Sequence, residues 1–124
     1  MTLDELRDYC LAKPFVTESL PFGPDTLVFK VQNKMFALHG LEREPPAVNL
    51  KCDPERAEEL RDEFPDHILP GYHMSKRHWN TVLLAGLPGR LLLDLVDHSY
   101  DLVVQSLKKA DRETVVAAQH RNSG

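Results

Sequence analysis

The chain contains no apolar run approaching the roughly 18–20 residues that cross a bilayer, which argues against a membrane-spanning protein. It has only two cysteines, Cys10 and Cys52, far apart and each beside apolar residues. A disulfide scaffold is thereby set aside, and two buried thiols are expected. There is no basic excess either: 19 acidic residues outnumber 15 Lys and Arg, for a net charge of −4. Strong general binders of nucleic acid usually carry positive charge, so any such role here requires a local basic face on an acidic body. No phosphate-cradling glycine motif, no Gly-x-Ser-x-Gly elbow and no internal repeat is visible. The sequence offers no recognisable active site, and neither enzymatic activity nor a cofactor is expected. Its start, Met1-Thr2-Leu3-Asp4-Glu5, is acidic, where a secretory leader would be basic and then apolar. A cytoplasmic protein is expected.

What is present is ordered in short, well-punctuated segments. Thr2 stands three residues ahead of Glu5 at capping-box spacing, and the helix it opens is expected to end near Ala12, before Pro14. Leu27–Val31 and Lys34–Leu38 read as strands around a Gln32-Asn33 turn. Strict alternation puts Leu27, Phe29, Phe36 and Leu38 on one face, with Val28, Lys30, Met35 and Ala37 on the other. Ala47–Cys52 alternates as a half-buried strand. Asp53-Pro54 then supplies a side-chain cap and a proline for the first turn of a helix with Ala57, Leu60 and Phe64 inward. Pro65 and Pro70-Gly71 punctuate a loop, and His78–Leu84 reads as a further strand. An apolar helical segment follows from Arg90 to Val96. A break is expected near Asp97-His98-Ser99, with Ser99 capping a last helix that buries Tyr100, Val103, Val104 and Leu107. From Ala110 a weak helical extension gives way to a frayed end. The expected fold is α+β: two layers, an antiparallel sheet with helices packed on it, in one domain over residues 1–109, followed by a polar, partly frayed tail over 110–124.

The densest chemistry lies in the fifteen residues from Ile68 to Val82, Ile-Leu-Pro-Gly-Tyr-His-Met-Ser-Lys-Arg-His-Trp-Asn-Thr-Val. They hold the only Trp, two of the six histidines and the Lys76-Arg77 pair. Trp79 is expected to open a strand as a core anchor. Ser75-Lys76-Arg77-His78 reads either as a recognition loop, Arg and Lys being suited to phosphates or carboxylates, or as a solvated loop whose charges maintain solubility. Lys30 and Lys51 fall on the less apolar faces of their strands; with Asn49 and Asn80 they form either a basic, amide-bearing surface or separate lysines snorkelling at sheet edges. His67, His73 and His78, with Asp66, would suit zinc by residue type, but their spacing matches no helical pair or compact Cys/His motif, and no metal site is expected.

Together with Phe22-Gly23, Leu50-Lys51-Cys52-Asp53-Pro54 and Ser99-Tyr100, this segment resembles the MmcQ/YjbR family, and the resemblance runs from the first helix to about Leu107. It implies the same two-layer α+β fold and a DNA-binding protein of double-wing shape. Lys30, Lys51, Tyr72, Lys76, Arg77 and His78 are the residues expected to carry such binding. The lysines and Arg77 would meet phosphates, and Tyr72 would stack or donate a hydrogen bond. The competing expectation is an adaptor or chaperone-like module whose sheet docks a protein or a small acidic ligand.

Overall fold

The computed structural model describes residues 1–71 and 74–123. The elements run α1 (Leu3–Leu11), β1 (Val16–Ser19), β2 (Thr26–Val31), β3 (Lys34–Gly40), β4 (Ala47–Lys51), α2 (Pro54–Glu63), β5 (Ile68–Pro70), β6 (Trp79–Leu83), α3 (Gly89–Ser106) and α4 (Lys109–Ser123). The strands form one six-stranded sheet in the order β1-β2-β3-β4-β6-β5, with every neighbouring pair antiparallel. All four helices contribute buried side chains to a single apolar cluster on one face of this sheet. Leu6 and Cys10 come from α1, Ala57 and Leu60 from α2, Tyr100 and Val103 from α3, and Val115 from α4. The α+β, two-layer architecture expected from the sequence is therefore the one observed.

Local chemistry explains the boundaries. Thr2 accepts from the Glu5 backbone while Glu5 accepts from the Thr2 backbone, closing the capping box of α1. Asp53 accepts from Arg56 N–H and Pro54 occupies the first turn of α2. Gln32 and Asn33 both have positive φ, the geometry of a two-residue hairpin loop matched to strand twist. Both thiols are buried and free.

Four details depart from the sequence expectation. First, a bulge falls between Phe29 and Lys30 in the β2–β3 register, where Phe29 faces Ala37 but Lys30 faces Met35. Phe36 is the extra residue. Leu38 therefore shares a face with Val28, and Ala37 joins Phe29 and Phe36 in the core. Second, α3 runs unbroken through Asp97-His98-Ser99, so Ser99 caps nothing. It lies fully buried in mid-helix, donating to Phe36 O at 2.5 Å and accepting from Lys51 N–H at 2.9 Å. Third, two short strands, β1 and β5, form the sheet edges. Fourth, the helical extension expected from Ala110 is a full helix, α4, which runs on to Ser123 past the expected start of the frayed end, with Val115 buried in the common core.

Candidate functional site

Helices cover one face of the sheet, and the cross-strand register specifies what the other face displays. Alternation on β2 puts Val28 and Lys30 there, and on β4 it puts Asn49 and Lys51 there. Lys30 faces Met35 on β3, Leu38 faces Asn49, Asn49 faces Thr81, and Lys51 faces Trp79 on β6. Val28, Leu38 and Trp79 form a small second cluster, against which Met35 and Met74 pack. Trp79 is thus an anchor, as its type suggests, but of this outer cluster and not of the main core.

Lys30, paired with Met35 on β3, and Lys51, paired with Trp79 on β6, stand level with each other, each two residues beyond the Val28–Leu38–Asn49–Thr81 row on the parallel-running β2 and β4. At the usual spacing of about 4.8 Å between strands, the two lysine backbones stand about 10 Å apart. Both lysines are half-buried, and among the described residues neither is in an ion pair. Ser99 sets part of this lysine row, since its bond to Lys51 N–H continues the β3–β4 link where the bulge interrupts the ladder.

The lysine row ends at the β5–β6 connection. Gly71 N–H donates to Trp79 O at 2.9 Å, and a Cβ on Gly71 would lie 2.9 Å from the Trp79 Cβ, so only glycine lets the chain pass this close. Beyond it Ser75, Lys76, Arg77 and His78 are exposed, and the turn is closed by His78 N–H and Trp79 N–H donating to Ser75 O. Arg61 of α2 ties the loop down by donating to Lys76 O at 2.8 Å. Glu55 and Glu58 line the same surface hollow as Lys76 and Arg77, which tempers the positive charge at this end. Tyr72, expected to stack or hydrogen-bond, lies outside the described residues, as does His73.

One part of the expected open face changes. Asn80 does not join the basic face: it faces Leu50 on the helix side, 2 % exposed, with Nδ2 donating to Ala57 O at 3.4 Å. Asn49 alone supplies an amide to the open face. His67 and His78 do not converge, since His67 bonds beside Leu83 at the far end of β6 while His78 precedes Trp79. Five residues of strand separate those positions, about 16 Å. Among the described residues no group of three potential metal ligands is gathered. Cys10, a potential nucleophile by type, has its thiol pushed up to about 12 by burial, and burial raises Cys52 as well.

Beside the lysine row the open face dips into a groove of about 610 Å³. Leu38, Asn49, Thr81 and Leu69 form its floor across four strands, Met74 and Phe22 flank it, and Arg43 also lines it. Thr81 Oγ1 donates to Asn49 Oδ1 at 2.6 Å. This groove was not legible in the sequence, because Phe22 and Arg43 come from loops and Leu69 from a three-residue strand. The one signal was Phe22 itself, an aromatic in a Gly-Pro turn cluster, where packing gives it no reason to be.

No helix of the described residues is long and apolar enough to cross a membrane. A family model described as YjbR matches residues 11–102. The chain is 39% identical over 117 residues to the uncharacterized protein YjbR of Escherichia coli K12, covering 94% of this chain and 98% of that one. It is 42% identical over 110 residues to the uncharacterized protein YbdF of Escherichia coli O157:H7, covering 85% and 86%. Among solved structures, Deinococcus radiodurans protein DR2400, a DUF419 domain, superposes with a TM-score of 0.86 at 44% identity, covering 92% of this chain and 87% of that one. A Pseudomonas syringae protein superposes with a TM-score of 0.67 at 28% identity, covering 82% and 98%.

Proposed function

The chain belongs to the YjbR family, and from the face it leaves uncovered we propose that it is a non-enzymatic, cytoplasmic DNA-binding protein. Lys30 and Lys51 contact phosphates from the sheet, and Lys76 and Arg77 extend the contact from the loop. The observation that carries this reading is the pair of level cations on the helix-free sheet face, Lys30 opposite Met35 and Lys51 opposite Trp79, about 10 Å apart with β3 between them. An overall charge of −4 makes the binding weak and salt-sensitive, since few phosphates are neutralised and the acidic remainder of the surface repels DNA.

Fluorescence anisotropy with labelled DNA at several salt concentrations tests it. The wild type saturates at low salt. Lys30→Ala with Lys51→Ala weakens binding to all sequences alike and flattens the slope of log K against log salt by about one unit per lost phosphate contact. Lys76→Ala with Arg77→Ala has the same kind of effect. Unchanged affinity in the sheet variant removes the sheet face from the site, and absence of binding by folded wild type at low salt overturns the function.

A further inference from the structure

The groove beside the lysine row is unused by phosphate contacts alone. Resting on the DNA-binding reading, we propose that it receives an unpaired base, so that the protein takes single-stranded DNA in preference to duplex. Three observations converge on that ligand. The groove is apolar on its Leu38, Leu69 and Met74 surfaces, and its volume of about 610 Å³ falls within the about 300–1,000 Å³ typical of ligand pockets. Phe22 is 62 % exposed at its flank, an aromatic ring open to stacking. On the floor, Thr81 Oγ1 occupies Asn49 Oδ1, which orients the amide and leaves its Nδ2 with two donors and no partner among the described residues. Those donors suit the carbonyl and ring-nitrogen acceptors on the edge of an unpaired base.

Charge on two sides fits the strand that would carry the base. Lys51 lies two residues along β4 from Asn49, about 6.6 Å, and Lys30 stands level with it on β2. Arg43 stands in the groove lining, its guanidinium positioned by donating from Nη1 to Pro45 O at 2.7 Å. A backbone lying across the groove meets a cation before and after the inserted base. A base stacked and paired within a duplex cannot leave the helix without cost, so a duplex reaches the cations but not the floor.

The test compares a labelled oligothymidine with a mixed-sequence duplex of equal length, at one low salt concentration, for the wild type and Phe22→Ala. Phe22 is exposed, so its removal leaves the fold intact, which circular dichroism verifies. The single strand is expected to bind about tenfold tighter than duplex, and Phe22→Ala to lose about tenfold on the single strand with no change on duplex. Equal binding of both forms, or a duplex preference, overturns base insertion while leaving the lysine row as the site. A single-strand preference that Phe22→Ala does not reduce overturns the groove. Failure to bind either form overturns this inference together with the reading it rests on.

Discussion

The two faces of the sheet are made by alternate residues of the same strands, yet they differ in every physical respect. On the helix side, Phe29, Phe36, Val48, Leu50 and Val82 are almost wholly buried and continuous with all four helices. On the open side, Val28, Leu38 and Trp79 form a three-residue cluster bordered by half-buried lysines and a groove. In an antiparallel sheet with one covered face, strand alternation thus assigns one residue to stability and the next to the surface. This chain uses the second set for cations and an amide.

Substitutions on opposite faces of the neighbouring strands β2, β3 and β4 break that comparison most severely. Phe36→Ala removes a fully buried ring that packs edge-on against Tyr100 at 5.4 Å between centroids, and is expected to cost about 3–5 kcal/mol in urea denaturation. Lys30→Ala and Lys51→Ala are each expected to change stability by no more than about 0.5 kcal/mol, while weakening DNA binding. A large stability loss in the lysine variants would mean that the open face also holds the fold together.

Ser99 links the faces, and its removal has the next largest effect. Ser99→Ala deprives Phe36 O and Lys51 N–H of their shared partner inside the protein, an expected cost of about 1–3 kcal/mol. Because that partner fixes the backbone of Lys51, DNA affinity should fall as well, although the substituted side chain lies on the covered side. Loss of stability with unaltered affinity would separate the lysine row from its support.

These same residues mark where the sequence could and could not be read. Caps at Thr2 and Asp53, the Gln32-Asn33 hairpin and the Tyr100–Leu107 stripe are local signals, and each appears where local chemistry put it. Asp97-His98-Ser99 misled because three consecutive polar residues look like a helix end. Each instead serves a different neighbour: Asp97 accepts from Tyr9 Oη and Lys13 Nζ, His98 from Asp53 N–H, and Ser99 from Lys51 N–H. Only tertiary structure supplies those partners. Likewise β1, with Thr17, Glu18 and Ser19, has too few apolar residues to announce itself, and β5 is only three residues long and ends in Pro70; edge positions tolerate both. The bulge at Phe36 moved Leu38 to the open face, so the floor of the groove was hidden even though the lysines were not. Period-two alternation found Lys30 and Lys51, but nothing local could bring Phe22 and Arg43 beside them.

The smallest expected effect concerns His98, which joins the covered side to the start of α2. Asp53 N–H donates to His98 Nε2 at 3.1 Å, so the bond exists only while that nitrogen is unprotonated. Burial lowers the His98 pKa below its ordinary value of 6.5, and repulsion from Arg56 lowers it further against the weaker pull of Asp53 and Asp101. The unfolded chain therefore binds the proton more readily than the folded one. His98 contributes stability that is fully present above about pH 6.5 and is lost as pH falls through its folded pKa. The urea midpoint of the wild type should accordingly fall more between about pH 7.5 and pH 5 than that of His98→Gln, whose amide oxygen accepts a hydrogen bond at any of these pH values. Parallel curves would mean that the N-terminus of α2 is held by Asp53 and Pro54 alone, and that the covered face carries no proton-sensitive contact at this point.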